Sequence, residues 1–270
     1  ASDVSAELQK LGGARVILAD GDPLFGGALL RRAHQIDDDD GASWAAEAVA
    51  ELAAMPEVRL LPATSALGRY DDNYVAAAER VGELLGPAAP AGMPRLRLWH
   101  IRARQIVLAT GALERPLVFP GNDRPGIMLA SAVETYVRRY AVLPGRRAVL
   151  FADNDDAYRC AATLAEAGAE VAAIVDPRDT PSLATQQIVR AIPFYTGCMI
   201  VGTSGRKPLR RVMIRPVAGN GSATTIDCDL LAVSGGWNPT LHLYAQAQGR
   251  TRFEEAIAAF APDGEIDGIH

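Results

Sequence analysis

The stretch that most constrains this chain lies near its beginning, where a short apolar segment runs into an acidic, glycine-rich turn. Arg15 to Ala19 is an apolar run rich in β-branched residues, which predicts a buried parallel strand. The turn after it reads Gly21-Asp-Pro-Leu-Phe-Gly-Gly27. An acidic residue at the end of such a strand, here Asp20, is where a dinucleotide-binding α/β fold holds an adenosine ribose. The alternative is that Asp20 only caps the turn that follows the strand.

In that fold a glycine-rich turn, which binds the pyrophosphate, comes before the helix that leads to this strand. Residues 1–11 have the apolar spacing of the end of such a helix, but no glycine-rich turn stands before them. We therefore expect a fragment that starts just downstream of those glycines and lacks the first strand. That strand would be central in the sheet, and each buried backbone group left unpaired would cost about 1–3 kcal/mol.

Composition excludes several classes of function. A net charge of -5 and a pI near 5.5 argue against nucleic acid or an anionic membrane surface as a partner. No apolar run approaches the ~20 residues of a membrane span. The three cysteines, Cys160, Cys198 and Cys228, are far apart and form neither a redox pair nor a zinc motif. The sequence therefore predicts a cytoplasmic protein without a metal site.

Several further elements follow from local pattern. Ser43 is predicted to cap a helix over 44–54, and the acidic run 37–40 is expected to be a solvated loop. Residues 95–100 alternate between polar and apolar, which predicts an antiparallel strand. Gln105 to Gly111 is predicted to be a buried strand that ends in a small-residue turn.

A second β-α-β unit begins at Ala148. It is predicted to comprise a strand to Phe151, a helix over 157–166 and a strand over 170–175 that ends at Asp176. Where a second nucleotide would need glycines, this unit has acidic side chains. These would suit the caps of a helix N-terminus and would repel a pyrophosphate. We expect this unit to be structural and to hold no nucleotide; its acidic residues are Asp153, Asp155 and Asp156.

The segment 228–239 repeats the pattern of 106–111, an apolar run followed by glycine. We therefore predict an NAD-binding domain over 1–117 and 231–270, with an inserted Rossmann-like domain over 118–230. The turns Thr110-Gly111 and Ser234-Gly-Gly236 would line one crevice with Asp20, since ligands bind at the carboxyl ends of parallel strands. Each turn alone could equally be a tight turn without a ligand.

The Asp20 carboxylate would repel a 2′-phosphate, which favours NAD or FAD over NADP. No nucleophile and base can be paired among the histidines and cysteines, so no catalytic residue is assigned. The chain is therefore interpreted as a nucleotide carrier. The predicted fold class is α/β, Rossmann-type, with an inserted second Rossmann-like domain and the N-terminal strand missing.

Three runs carry a family resemblance across essentially the whole chain. The segments 107–130, 152–159 and 234–243 resemble the α subunit of heterotetrameric sarcosine oxidase. The most specific parts are Asn122-Asp-Arg-Pro-Gly126 and Gly235-Gly-Trp-Asn-Pro239. Related amine and opine oxidase subunits and cyanide synthase subunits share the same plan of two dinucleotide-binding domains seen in flavoproteins, so they remain alternatives.

The resemblance implies that the α subunit carries NAD in a domain built like an FAD domain. The β subunit would carry FAD and demethylate sarcosine to glycine, with FMN at the α/β interface. Oxygen would reoxidise the flavin and give hydrogen peroxide, and a C-terminal folate-binding domain, absent here, would capture the methyl carbon as methylene-folate in place of formaldehyde. The implied partners are the β, γ and δ subunits.

By position, the resemblance also assigns cofactor contacts. Asp20, Gly21 and Asp22 would line the ribose, and Ala66 and Thr110-Gly111 the adenine. The pyrophosphate side would be formed by Ala1, Gly27 and Ala28, and the nicotinamide end by Gly235, Gly236 and Leu241. The whole set is Ala1, Asp20, Gly21, Asp22, Gly27, Ala28, Ala66, Thr110, Gly111, Gly235, Gly236 and Leu241.

Two functions of other classes compete with this one. An independent reductase using FAD and NAD(P)H would need a second glycine fingerprint and usually a redox pair, and the sequence contains neither. A non-catalytic scaffold would leave the crevice empty. The identity of the bound nucleotide separates the three hypotheses.

Overall fold

The computed structural model describes residues 15–32, 35–36, 39–181, 191–219 and 221–270. These residues fall into two units. The first contains 15–111 together with Thr240–Glu254 and Phe260–His270, and the second contains Ala112–Pro239 and Glu255–Ala259. The predicted helix over 1–11 and the proposed contact Ala1 lie outside the described residues.

The first unit is built around a parallel strand pair and an antiparallel sheet. β1 (Val16–Ala19) pairs in parallel with the strand Val58–Leu61, 42 residues later, which confirms the predicted parallel strand. Ile17 and Leu18 of β1 are 42% and 37% exposed, so the expected full burial is not seen. The remaining elements up to Gly111 are β2 (Gln35–Ile36), β3 (Asp39–Asp40), α1 (Gly41–Ala53), β4 (Val58–Leu61), β5 (Thr64–Tyr70), β6 (Tyr74–Arg80) and β7 (Leu96–Arg102).

β5, β6 and β7 form the antiparallel sheet in sequence order, and β7 contains the alternating segment predicted from its pattern. Trp99 of β7 is covered on its ring face by the guanidinium of Arg59, 4.5 Å from the ring centroid. Its indole N–H donates to Glu79 at 2.8 Å. Because β4 carries Arg59, these contacts fix the parallel pair against the antiparallel sheet.

The start of α1 differs from the prediction. The N-cap is Asp40, whose carboxylate accepts the backbone N–H groups of Ala42 and Ser43 at 3.2 and 3.4 Å. Ser43 therefore lies inside the helix and is not its cap. Within the acidic run expected to be a loop, Asp39 and Asp40 form a short antiparallel ladder with β2, while residues 37 and 38 lie outside the described residues. An extended residue before the first turn is the geometry that an N-cap requires.

Replacing Asp40 by alanine is expected to lower the free energy of unfolding by about 0.5–1 kcal/mol, because two N–H groups at the helix start lose their acceptor. The long donor–acceptor distances place the effect in the lower half of the range for caps. Urea unfolding followed by circular dichroism measures it. Asp39→Ala is the matched control, since Asp39 makes no cap, and equal effects of the two substitutions would contradict the assignment.

The second unit contains a parallel sheet covered on both faces. Its elements are β8 (Ala112–Glu114), β9 (Ile127–Leu129), α2 (Ala130–Glu134), β10 (Arg147–Ala152), α3 (Tyr158–Glu166), β11 (Glu170–Asp176), β12 (Phe194–Thr196), β13 (Cys198–Ser204), β14 (Arg211–Pro216), β15 (Thr224–Asp227), β16 (Leu230–Ser234) and β17 (Trp237–Pro239). α2 continues into a π-helical turn over Thr135–Arg139. The parallel sheet has the order β12-β11-β10-β16-β9.

Alternation along the central strands assigns each face of this sheet to a different layer. Leu150 and Ile174 pack with Tyr158 and Leu164 of α3 on one face. On the other face, Val149 and Val175 join a cluster that includes side chains of the antiparallel sheet β13-β14-β15. Strands buried on both faces explain the continuous apolar runs in the sequence, and the predicted β-α-β unit is confirmed.

The last described elements return to the first unit for most of their length. They are α4 (His242–Gln246), β18 (Thr251–Glu254) and β19 (Ala259–Pro262), and the two strands pair with each other. Further on, Ile269 bridges Ile106 in parallel. His270 accepts the N–H of Leu108 at 2.8 Å and donates its own N–H to Ile106 at 2.8 Å.

That bridge is the only strand-like feature that the structure shows in 105–111, so the predicted buried strand there is wrong. Val107 is 74% exposed. The segment has an apolar composition suited to a strand, but among the described residues it has a ladder partner on one side only. Composition alone cannot supply the second partner that burial needs.

The predicted return to the first domain at residue 231 is also wrong in its position. β16 pairs in parallel with β10 and with β9, and both belong to the second unit. β17 pairs with β8 of the same unit. The chain therefore re-enters the first unit at Thr240, nine residues later than predicted. The apolar run of β16 is typical of any buried parallel strand, which is why its pattern could not indicate the sheet to which it belongs.

Candidate functional site

Asp20 directly follows β1 and begins a tight loop in the first unit. Its Oδ1 accepts the N–H of Asp22 at 2.9 Å, and Asp22 in turn accepts the N–H of Leu24 at 3.0 Å. The backbone is anchored as well, because the carbonyl of Asp20 accepts the N–H of Thr64 at 2.7 Å. Asp20 therefore does cap its own turn. No described residue donates a hydrogen bond to its second carboxylate oxygen, which leaves an acceptor for a ligand.

Gly21 lies where a larger residue would be crowded. A Cβ atom built on Gly21 would come within 3.3 Å of the Ser65 hydroxyl oxygen. Farther along the loop, Gly27 and Ala28 open a 3-10 turn over Gly27–Leu30. The structure thus brings Asp20, Gly21 and Asp22 into one loop beside the start of β5, and the role of that loop as a ribose site stays a prediction.

Sequence reasoning missed one residue at this loop. Arg80, at the end of β6, donates from Nη2 to the carbonyl of Gly21 at 2.7 Å. Its own backbone N–H is bonded to the carbonyl of Ala63 at 3.0 Å. Arg80 is separated from the loop by about sixty residues of chain. No local motif signals such a contact, and only the pairing of β5 with β6 brings it there.

The turn at Thr110-Gly111 belongs to the same unit. The Thr110 hydroxyl donates to the carbonyl of Thr240 at 2.8 Å, and the N–H of Thr240 donates to the carbonyl of Gly111 at 2.9 Å. Leu241 follows directly and forms the N-cap of α4. Gly111 has a φ of +64° and open space around it, so backbone conformation alone favours glycine there. Ala66 lies in β5, beside an irregularity in the pairing with β6.

Gly235 and Gly236 lie in the second unit and already serve a structural purpose. The N–H of Gly235 donates to the carbonyl of Arg115 at 2.7 Å, and the N–H of Arg115 donates to Gly236 at 2.9 Å. A Cβ on Gly235 would lie 3.1 Å from the carbonyl oxygen of Pro116. The close backbone approach expected here is therefore made with the segment 115–116, and the assigned ligand role of the two glycines stays a prediction.

The carboxyl ends of β10 and β11 carry a buried ionic cluster. Asp176 is fully buried and accepts hydrogen bonds from the hydroxyl of Tyr158 and from Nη2 of Arg178, the latter at 2.7 Å. The same Nη2 donates to Asp155 at 2.7 Å. The hydrogen bond to Asp176 raises the pKa of Arg178, while burial and then Asp176 raise the pKa of Tyr158. The cluster is therefore one cation held by two carboxylates, with Tyr158 neutral.

The acidic residues before α3 do not cap it as predicted. Asp155 is held by Arg178, and Asp156 accepts the indole N–H of Trp237 at 3.1 Å. The side chain that meets the helix start is Asn154, whose Oδ1 accepts the N–H of Ala157 at 3.2 Å. The carboxylates turn towards cationic and indole donors because these lie within reach, Arg178 just after β11 and Trp237 at the start of β17.

Reactive groups offer little redox or nucleophilic chemistry in the described part of the chain. All three cysteines are free thiols. Burial, with smaller effects of Asp229 and Asp227, raises the pKa of Cys228 to about 12, and burial also raises the pKa of Cys160. Such thiols stay protonated at neutral pH and are poor nucleophiles. The described residues contain no cluster of metal-ligating side chains, and none of their helices is long and apolar enough to cross a bilayer.

No family model matches the chain. Sarcosine oxidase subunit alpha of Corynebacterium sp. (strain P-1) is 43% identical over 265 residues, covering 96% of this chain and 27% of that protein. The subunit of the same name from Rhizobium meliloti (strain 1021) is 40% identical over 257 residues, covering 95% of this chain and 25% of that protein.

Among solved structures, L-proline dehydrogenase from P. horikoshii superposes with a TM-score of 0.69 at 20% identity, over 95% of this chain and 45% of that one. This likeness confirms the predicted class, an α/β Rossmann-type fold like that of two-domain flavoproteins. The chain spans about a quarter of the length of the curated relatives it matches. Over nearly all its residues, therefore, the chain belongs to the sequence family of the sarcosine oxidase alpha subunits.

Proposed function

We propose that the first unit binds NAD, with the adenosine ribose at the loop formed by Asp20, Gly21 and Asp22. The observation that carries this proposal is the second carboxylate oxygen of Asp20, which has no donor among the described residues. It stands at the carboxyl end of a parallel strand, where such folds bind their ligands. Two ribose hydroxyls could donate to a carboxylate held in this way.

The residues present fit an adenosine ribose. The loop is fixed by backbone bonds from Ala63 to Asp22 and from Thr64 to Asp20, at 2.8 and 2.7 Å, so the carboxylate is held before a ligand arrives. Gly21 has no side chain to compete for the space beside Ser65. The negative charge of Asp20 would disfavour a 2′-phosphate, which supports NAD over NADP.

We further propose that the whole protein is the α subunit of a multisubunit flavoprotein oxidase that oxidatively demethylates sarcosine. The identity with sarcosine oxidase α subunits supports this. FAD on the β subunit, FMN at its interface with this subunit, and the γ and δ subunits belong to the same proposal. This chain would bind a nucleotide and contribute no catalytic residue of its own.

The second unit is proposed to hold no nucleotide. Its supporting observation is the ionic cluster, in which Asp176, the acidic residue at the end of β11, is already engaged by Tyr158 and Arg178. A ribose would have to displace this arrangement. Asp153, Asp155 and Asp156 also put negative charge before α3, where a pyrophosphate would lie.

The test of the proposed function is the nucleotide that the complete protein carries. Heat release followed by mass spectrometry should give about one NAD per chain, in addition to any flavin contributed by partner subunits. No NAD, with flavin bound by this chain itself, would instead support a reductase. A chain that releases no nucleotide of either kind would support a scaffold.

A further inference from the structure

Arg80 reaches the Asp20–Asp22 loop from a different part of the first unit. Its guanidinium donates to the carbonyl of Gly21 at 2.7 Å, and the backbone of Arg80 is itself fixed to Ala63 at 3.0 Å. Ala63 in turn donates its N–H to the carbonyl of Asp22 at 2.8 Å. Arg80, Ala63 and the loop therefore form a closed set of contacts around the carbonyl between the two aspartates.

The charge balance of the loop follows from the same contacts. Asp20 and Asp22 each accept a backbone N–H within the loop. Arg80 brings a positive charge to the intervening residue and uses one of its five N–H donors there. Within the described residues, the other nitrogens of its guanidinium have no hydrogen-bond acceptor. Arg80 is half-buried, which limits screening of its charge by solvent.

A carboxylate and a guanidinium at one ribose loop have opposite preferences. The carboxylate accepts from the free hydroxyls of NAD, whereas a guanidinium binds a 2′-phosphate. Asp20 can accept from an unmodified ribose only while its side chain is held in place by the loop. With Asp20 present, a 2′-phosphate would meet a like charge; with Asp20 absent, the positive charge that Arg80 brings to the Gly21 carbonyl would favour it.

We propose that Arg80 is a positioning and specificity-determining residue of this site, resting on the proposed function above. It holds the loop through the Gly21 carbonyl, so that Asp20 is aimed at the ribose. It is also the cation that would bind a 2′-phosphate once the Asp20 carboxylate is removed. Preference for the unphosphorylated dinucleotide therefore depends on the pair Asp20 and Arg80, and not on Asp20 alone.

The test measures NAD and NADP binding by equilibrium dialysis in the complete protein, freed of its nucleotide, for wild type and a set of variants. Arg80→Gln is expected to weaken NAD binding about tenfold, the effect of one charge-assisted hydrogen bond. Arg80→Lys should recover most of that affinity, because an ammonium can still donate to the Gly21 carbonyl. Arg97→Gln, a variant in the same sheet whose partner is Glu79, is the matched control and should leave NAD binding unchanged.

The double variant tests specificity. Asp20→Ala should raise the ratio of NADP to NAD affinity roughly a hundredfold, by loss of hydroxyl bonds to NAD and of repulsion towards NADP. Combining Arg80→Gln with Asp20→Ala should abolish most of the NADP affinity that Asp20→Ala alone gains. Two results would contradict the role of Arg80 and leave NAD binding standing. One is equal NADP affinity of the double variant and Asp20→Ala; the other is equal NAD affinity of Arg80→Gln and Arg97→Gln. If wild type binds neither dinucleotide, both proposals are wrong.

Discussion

Arg178→Ala is expected to lower the free energy of unfolding of the second unit by about 3 kcal/mol. The substitution removes the cation that holds Asp176, and the carboxylate of Asp176 has no exposure to water. Breaking a buried ion pair costs about 3–5 kcal/mol, since the remaining charge stays buried without its partner. The Arg178 side chain is 35% exposed, which places the effect at the lower end of that range.

Hydrogen exchange of the backbone amides in β10 and β11 measures this loss within the second unit. Arg211→Ala is the matched control, because Arg211 pairs with Asp227 at 2.8 Å, yet both side chains are more than half exposed. An exposed pair contributes about 0–1 kcal/mol. Tyr158→Phe should fall between the two, at about 1–3 kcal/mol, because it removes one hydrogen bond from the buried carboxylate. Equal losses for Arg178→Ala and Arg211→Ala would contradict a buried ionic cluster.

This cluster illustrates what the sequence could and could not predict. The β-α-β unit from Ala148 to Asp176 could be predicted, because apolar runs, a small helix and a strand-end acidic residue are all local patterns. The partner of Asp176 could not be predicted. Arg178 lies two residues farther along, in a segment without periodicity, and its link to Asp155 depends on how β10 and β11 lie side by side.

Dependence on distant partners also separates the correct from the incorrect predictions in the first unit. β1 was predicted from its own composition and its parallel pairing is confirmed, whereas 105–111 has similar composition and forms only a bridge. The difference lies in the neighbours available to each segment, which composition does not record. Ser43 was chosen as a cap by residue type, but the extended backbone that a cap needs is at Asp40.

The candidate site shows the limit most clearly. Asp20 and Gly21 were predicted because a strand, a carboxylate and a glycine are adjacent in sequence, while Arg80 joins them only through the pairing of β5 with β6. Gly235 looked equivalent to Gly111 by type, yet its backbone approaches Arg115 and Pro116. Small residues indicate close approach, but they do not identify what approaches.

Asp20→Asn is expected to weaken NAD binding about a hundredfold without disturbing the loop. The asparagine Oδ1 can still accept the N–H of Asp22, the bond that Asp20 makes at 2.9 Å. The second oxygen becomes an NH₂ group, which donates and cannot accept from a ribose hydroxyl. Hydrogen bonds to a charged group contribute about 1.5–3 kcal/mol each, so the loss of one or two corresponds to a factor between about ten and about twenty-five thousand.

Equilibrium dialysis of NAD against the nucleotide-free complete protein measures this loss, and thermal unfolding of the same samples reports on the loop. Asp40→Asn is the matched control, because a side-chain oxygen of asparagine can likewise accept the backbone N–H groups of Ala42 and Ser43, and Asp40 has no role in the proposed site. If Asp20 serves only as a cap, both asparagine variants will bind NAD as wild type does and unfold at the same temperature. If Asp20 holds the ribose, NAD affinity will fall for Asp20→Asn by much more than for Asp40→Asn, while both proteins stay equally stable. Capping uses one oxygen of the carboxylate and the proposed ribose contact uses the other; asparagine keeps an accepting oxygen for the turn and replaces the second oxygen, with its charge, by a donor.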